Sequence, residues 1–330
     1  MSESTLRFRP QVRQLERREV PSVVPADAIV IGPAEGGNPQ VVVVDPESGK
    51  SVFKFVPFEK SFRGGASVAV GDVTGDGVND LLIGAGRGGG PRIEVVDGET
   101  GTVVKNFFVY EPTFTGGTGV AAGDVNGDGV DDLIVGTGKG GGPRIVAIDY
   151  ATGDVLADFF AYESSFRGGV AVAAADVNKD GFDDYITGTG VGGAPRVAVY
   201  SGADPSVVLA NFFAFDPSFR NGVNVSGADF DGDGAADIVV GAGAGGAPHV
   251  QVISVAGGFD TLSNFFAFDP KSRGGARVAV VDVNGDGESE LIVGTPGHIR
   301  RFLRLDDPSQ YLALDEFDSG SGTTVAGTNG

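Results

Sequence analysis

Along most of the chain, short apolar runs alternate with clusters of Gly, Asp, Asn and Pro, and the alternation itself repeats. One complete unit begins Gly119-Val-Ala-Ala-Gly-Asp124, passes through a polar nonapeptide and resumes with Leu133-Ile-Val-Gly-Thr137. A glycine run to Pro143 follows, then Arg144-Ile-Val-Ala-Ile-Asp149, a turn at Thr152-Gly153 and a last run from Val155 to Tyr162. Apolar and β-branched runs divided by turn formers predict four strands per unit. No segment holds a 3.6-residue stripe, so almost no helix is expected. Ala121-Ala122 and Leu133-Ile134-Val135 are apolar at consecutive positions, which demands burial on both faces of each small sheet. Four-stranded sheets stacked face to face around an axis meet that demand, so the expected fold is an all-β propeller.

Blade number follows from the repeats. First strands are expected at 66–71, 118–123, 170–175, 223–228 and 276–281, giving five complete blades. Ahead of them, Ala28 to Gly32, Gln40 to Asp45 and Ser51 to Val56 match strands two to four of a blade without a first strand. The tail Gly320-Ser-Gly-Thr-Thr-Val-Ala-Gly327 resembles Gly116 to Gly123 and is expected to supply that strand, closing a six-bladed antiparallel ring. Closure removes an exposed sheet edge. The alternative is a loose Gly/Ser tail. Residues 28–330 then form one propeller domain, and residues 1–27 form a basic extension with five Arg against two Glu between Leu6 and Pro21. That extension is either a targeting or anchoring remnant or a frayed terminus.

The nonapeptide after each first strand carries the candidate chemistry. It begins at Asp72, Asp124, Asp176, Asp229 and Asp282, at intervals of 52, 52, 53 and 53 residues. Side-chain oxygens stand at positions one, three, five and nine, and Gly at position six permits a sharp turn. The side-chain sets are Asp72, Thr74, Asp76 and Asp80; Asp124, Asn126, Asp128 and Asp132; Asp176, Asn178, Asp180 and Asp184; Asp229, Asp231, Asp233 and Asp237; and Asp282, Asn284, Asp286 and Glu290. Backbone carbonyls of Val78, Val130, Phe182, Ala235 and Glu288 would add a further ligand to each. Five or more converging oxygens in a flexible loop favour calcium over magnesium, so about five calcium ions per chain are expected. The set with four Asp should bind most tightly and the set with Thr74 most weakly. Position twelve is Ile83, Val135, Thr187, Val240 or Val293 and opens a strand, which excludes an EF-hand. The closing blade should lack a metal, because Asp27-Ala28 stands where Asn79-Asp80 stands in the next unit.

Asp-x-Asn-x-Asp-Gly-x-x-Asp followed by Leu/Ile-Val-Gly, as in Asp124 to Gly136, resembles the FG-GAP (VCBS-type) repeat of integrin α-subunit propellers and many bacterial surface proteins. The resemblance covers roughly residues 28–317 and implies calcium loops between first and second strands on one face of the disc. It also implies an extracellular or cell-surface, bacterial setting and a protein-interaction or adhesion role. Two departures limit the transfer. The family's Gly-Ala-Pro after the second strand is replaced by Gly-Thr-Gly-Lys-Gly-Gly-Gly-Pro-Arg, and nothing resembles the thigh and leg domains of an integrin subunit. The stretch Arg7 to Pro21 resembles export-associated motifs of some bacterial surface proteins.

On the face opposite the loops, glycine runs end at Arg92, Arg144, Arg196 and His249, and blade junctions open with Tyr110, Tyr162, Phe215 and Phe268. Each junction offers an aromatic, a carboxylate and usually an Arg (Arg63, Arg167, Arg220, Arg273). Such groups could hold a sugar or a carboxylated glycan. They could equally pair with one another, and Phe107-Phe108, Phe159-Phe160, Phe212-Phe213 and Phe265-Phe266 are expected to pack between blades.

Composition narrows the function classes. A formal charge of −20 argues against nucleic acid, which needs clustered Lys and Arg. Sixteen of the 44 acids are loop ligands, so five divalent ions would bring the charge to about −10. There is no Cys, so thiolate sites and disulfides are excluded. No apolar run is long enough to span a membrane, and no secretory h-region is recognisable. The glycine runs lack a Gly-Lys-Ser/Thr ending and open strands, so they are not phosphate loops. His249 and His298 are the only histidines, and the acidic clusters are absorbed by metal. The leading reading is a monomeric, non-catalytic interaction module for a protein or glycan ligand. A multivalent lectin and a calcium-dependent polysaccharide lyase or hydrolase are the alternatives.

Overall fold

In a computed structural model, the first strand of each repeat forms at Ala66–Gly71, Thr118–Gly123, Val170–Ala175, Val223–Ala228 and Arg277–Val281. The structure describes residues 22–304 except 47 and 285, together with 311–318 and 322–326. Each of these strands opens a four-stranded antiparallel sheet in meander order, and a sixth sheet joins the two ends of the chain. Its inner strand is Gly322–Ala326, paired with Ile29–Pro33 in the register Val30↔Ala326, Ile31↔Val325 and Gly32↔Thr324. The ring of six blades therefore closes through the tail. No helix occurs among the described residues, and so none long and apolar enough to cross a membrane. Most of the basic extension lies outside the described residues. Val24 is buried in the first inter-blade cluster, and Val23 N–H donates to Gly98 O at 2.8 Å.

The second strands are buried along their whole length, as at Asp80–Ala85 and Asp132–Thr137. One inter-blade layer joins Leu82, Ile93 and Val95 of one blade to Val120, Leu133 and Val135 of the next. The recurrent Gly at the end of Leu/Ile-Val-Gly is required by this approach. A Cβ on Gly136 would lie 2.7 Å from Val170 O, and one on Gly241 only 2.3 Å from Ala276 O. Small side chains there let the inner strand of the next blade come close to the axis.

Outer strands differ from the expectation of two buried faces. At Val103–Phe108 and Val208–Phe213 exposed positions alternate with partly covered ones, because the blades fan apart towards the rim. Only the first member of each Phe pair packs between blades (Phe107, Phe159, Phe212, Phe265). The second members, Phe108, Phe160, Phe213 and Phe266, are about half exposed. The pairing of third and outer strands carries a register shift in all six blades, for example between Val95 and Val96. Such a bulge increases local twist and bends the outer strand.

Topology places the chemistry. In the five complete blades the inner strand runs from a blade junction on one face to a nonapeptide on the other. The loops therefore form one circle, and the glycine runs and junctions form a second circle on the opposite face.

Candidate metal-binding loops

Each nonapeptide is folded by its own carboxylates. Asp72 Oδ1 accepts the N–H of Gly75 and Asp76, and its Oδ2 accepts that of Gly77 at 2.7 Å. Asp124, Asp176, Asp229 and Asp282 hold the corresponding N–H of Gly129, Gly181, Gly234 and Gly287 at 2.7–2.9 Å. Position three accepts from position five, as Asn126 does from Asp128 and Asn284 from Asp286, both at 2.9 Å. Asp231 accepts from Asp233 at 3.1 Å. Position five accepts from position seven: Asp76 from Val78, Asp128 from Val130, Asp180 from Phe182, Asp233 from Ala235 and Asp286 from Glu288. Asn178 donates its amide to Asp180 at 2.9 Å. Sequence reasoning identified glycine at position six and missed position four, which is also left-handed: Gly75, Gly127 and Gly232 have φ of 74°, 75° and 75°. Lys179 occupies the same place at φ 63° and reaches across to Asp233 of the next loop at 3.3 Å.

Position nine is the buried floor of the loop. Asp80 accepts the N–H groups of Val73, Thr74 and Gly98 at 3.0–3.1 Å. Asp132, Asp184, Asp237 and Glu290 accept the corresponding N–H of Val125, Val177, Phe230 and Val283. Burial raises all five from their ordinary values, Asp132 and Asp184 to about 7 and Asp237 to about 6. A buried carboxylate without a cationic partner is costly when charged, and a bound cation would remove that cost.

The fourth loop brings its acids closest together. Ligand oxygens of Asp229, Asp231 and Asp237 all lie within 4.8 Å of one another. Asp233 stands apart from that group, facing Lys179. In the first loop, Thr74 Oγ1 is buried with no hydrogen-bond partner. An oxygen-only donor set with an orphaned hydroxyl at a ligand position fits a hard divalent cation.

The eighth position was passed over in the sequence, although the doublets Asp131-Asp132 and Asp183-Asp184 are visible there. Its N–H reaches the first residue of the previous loop: Asp131 to Asp72 O at 3.0 Å, Asp183 to Asp124 O at 2.8 Å and Ala236 to Asp176 O at 2.8 Å. Asp183 Oδ2 also accepts Asp124 N–H at 3.1 Å. Burial pushes Asp131 up to about 6 and Asp183 up to about 7, the latter helped by the nearby Asp131 charge. These contacts link the loops into a chain around the axis.

On the opposite face the expected ligand groups are engaged with one another. Arg92 contacts Glu59 at 2.8 Å, Glu94 at 3.2 Å and Asn106 at 2.9 Å, over the Phe58 ring. Arg144 forks onto Asp158 through two bonds of 2.7 Å and lies over Tyr110, and Arg196 meets Glu163 at 3.0 Å over Tyr162. Tyr110 and Tyr162 are buried, and their hydroxyls donate to Val135 O and Thr187 O of the next blade. His249 breaks the pattern, lying between Phe215 and Phe266 at ring distances of 4.8 and 4.6 Å. It borders an apolar cavity of about 380 Å³ with Phe215, Phe219 and Phe266. Beside Phe268, Arg300 takes the stacked place at 4.7 Å, and His298 holds the register position of His249. Arg63, Arg167, Arg220 and Arg273 fold back onto carbonyls of their own junctions. The glycine N–H groups are used too: Gly88, Gly140, Gly192 and Gly245 donate to the following junction at 2.7–2.8 Å.

Fold and loops together define a six-bladed β-propeller in which five blades carry an oxygen-rich nonapeptide. Comparison with known proteins agrees. The FG-GAP repeat matches residues 64–104 and 116–154, and the FG-GAP-like repeat matches 229–293. The matched stretches are FG-GAP repeats, and the propeller they build is similar to that of integrin alpha chains. Integrin alpha-V of Gallus gallus is 32% identical over 213 residues, covering 56% of this chain and 20% of that protein. Phosphatidylinositol-glycan-specific phospholipase D of Homo sapiens is 31% identical over 167 residues, covering 43% of this chain and 20% of that protein. The chain thus spans about a fifth of the length of the curated relatives it matches. A Bacteroides caccae protein of unknown function superposes with a TM-score of 0.55 at 13% identity, covering 92% of this chain and 98% of that one. The structure of U3-55K gives 0.54 at 12% identity, covering 92% and 86%. These last two share the fold.

Proposed function

We propose that this chain is a monomeric, non-catalytic propeller stabilised by about five calcium ions, serving as a protein-interaction module at the cell surface or outside the cell. The observation that carries the metal part is the convergence of Asp229, Asp231 and Asp237 within 4.8 Å, in a loop whose donor pattern recurs in four other blades. Position-nine carboxylates and position-seven carbonyls would complete each set. Bound calcium would neutralise the buried charge and hold the loop rigid; the chain's own groups then present two fixed faces. Similarity to integrin alpha chains supports a protein partner and an extracellular setting, where millimolar calcium fills loops of this kind. Titration calorimetry on chelator-stripped protein should count about five ions, with a large rise in melting temperature. One or two ions with little stabilisation would overturn the reading.

A carbohydrate-binding reading rests on one observation, the cavity beside His249 walled by Phe215, Phe219 and Phe266. It stands at a single blade, so binding there would be monovalent; a glycan array without a hit removes it. The similarity to a phospholipase D keeps a hydrolase test worthwhile. Activity on phospholipid or acidic polysaccharide that requires calcium would displace the non-catalytic reading.

A further inference from the structure

In five blades the inner-strand residue paired with the recurrent Gly of the second strand lines the central bore at the end away from the candidate metal loops. By register these are Ser67, Gly119, Ala171, Asn224 and Arg277. Four are small or neutral and one is a guanidinium. Ser67, Gly119, Ala171, Asn224 and Arg277 line a cavity of about 210 Å³ together with valines of the next layer, including Val120, Val225 and Val278.

Among the described residues the Arg277 side chain has no counter-charge. Arg92, Arg144 and Arg196 each meet a carboxylate within 3.5 Å, but no ion pair or hydrogen bond among the described residues involves the Arg277 guanidinium. Its surface is only partly covered because it lines an open bore, yet protein surrounds it closely enough that burial lowers its pKa, with no carboxylate acting to raise it. Asp131, Asp176, Asp183 and Asp229 line a separate cavity at the loop end of the inner strands. The polar neighbours are otherwise committed: Ser67 Oγ donates to Thr118 O at 2.8 Å and Asn224 Nδ2 to Ala276 O at 2.7 Å. A guanidinium presents five donors in a planar fork and cannot shed its charge at ordinary pH. Leaving it desolvated and unpaired is unfavourable unless something else supplies the acceptors. Gly119 and Ala171 leave room in the same ring for that group, and the valine layer limits how far it can enter.

We propose that Arg277 forms an anion site in the mouth of the bore, taking a single small oxyanion whose shape suits the fork, a carboxylate above all. The site is independent of the calcium loops and of the proposed partner. The carboxylate could belong to a free small acid or to the C-terminus of a peptide inserted into the bore; the shared chemistry is two oxygens accepting a bidentate pair.

The test uses the calcium-loaded full chain. Calorimetric titrations with acetate, with sulfate, and with a short peptide carrying a free C-terminal carboxylate or its amide, are compared across wild type, Arg277→Met and Arg277→Lys. Wild type should bind acetate with one site per chain. Arg277→Met should weaken binding by roughly tenfold or more, the factor expected for a charge-assisted pair. Arg277→Lys should retain anion binding but lose the preference for carboxylate over sulfate, because an ammonium lacks the planar fork. The Met variant should melt no lower than wild type without anion, since it removes an unpaired charge. If the peptide acid binds tenfold tighter than acetate and the amide does not bind, the source is a chain terminus; equal affinities identify a free acid. No saturable binding to wild type, or unchanged binding to Arg277→Met, overturns the proposal.

Discussion

Individual carboxylates in the loops do two jobs, and the geometry separates them. Asp80 accepts three backbone N–H groups in a buried setting, so Asp80→Ala strands all three, and Asp80→Asn keeps an acceptor for part of the set. The alanine variant should lose about 3 kcal/mol even without calcium, measured by denaturant unfolding of chelator-stripped protein. Asp231 accepts only one loop N–H, so Asp231→Ala should cost little when stripped but remove a large share of the calcium-dependent stabilisation. Equal losses for Asp231→Ala with and without calcium would show that its role is only the turn. The raised carboxylates also set a pH response. Asp132 and Asp184 titrate near 7 and Asp237 near 6 in the fold, above their unfolded values near about 4. The folded state then binds protons more readily than the unfolded chain. Their destabilising effect is fully present above about pH 7 and is relieved as pH falls towards 4. Calcium-free protein should therefore melt higher at pH 5.5 than at pH 8, and saturating calcium should abolish or reverse that difference.

Among the elements, the inner strands are the least self-sufficient. Val325 and Ala326 are buried against neighbouring blades, Val325 beside Ile29, Ile31 and Val281. Removing residues 319–330 exposes those residues and the hydrogen-bonding edge of Ile29–Pro33. The melting temperature should fall by several degrees or more, and the shortened chain should associate through the open edge, read by light scattering. An unchanged melting temperature would mean that the tail adds nothing to closure. The second strands make the complementary prediction. Gly241→Ala puts a Cβ 2.3 Å from Ala276 O, a backbone atom that cannot turn aside, so the variant should lose about 2 kcal/mol or fail to fold. By contrast Arg144→Ala removes pairs to largely exposed Glu111 and Asp158, and should shift stability by less than about 1 kcal/mol.

At the scale of the whole molecule, the two circles of loops tie each blade to the next. Asp131, Asp183 and Ala236 bond to the preceding nonapeptide loop, and Gly138, Gly190 and Gly243 bond to the junctions Gly117, Gly169 and Gly222. Six inter-blade clusters fill the space between. Stripping calcium should lower the melting temperature of the ring as one cooperative transition. Separate calorimetric peaks would mean that the blades melt as independent units.

The blade count, the order of strands, the five loops and the closing strand were all legible along the chain, because each is written in local chemistry. Apolar runs form strands where turn formers bracket them, a glycine at position six turns each polar nonapeptide, and a tail that repeats an inner-strand sequence finds the same place. What the chain alone did not disclose depends on which groups meet across blades. Arg144 and Tyr110 read as equally good ligand groups or structural partners until Asp158 and the next blade's carbonyls were seen to satisfy them. Asp131 and Asp183 drew no reading from the sequence, and their tie to the previous loop, which accepts their N–H groups, shows only in the fold. Nothing in the sequence singles out Arg277, and only ring closure sets it among Ser67, Gly119, Ala171 and Asn224, with no carboxylate among the described residues to meet it. Local patterning decides which elements form, whereas the state of a polar side chain depends on neighbours about 50 or more residues away, brought beside it only when the sheets close around the axis.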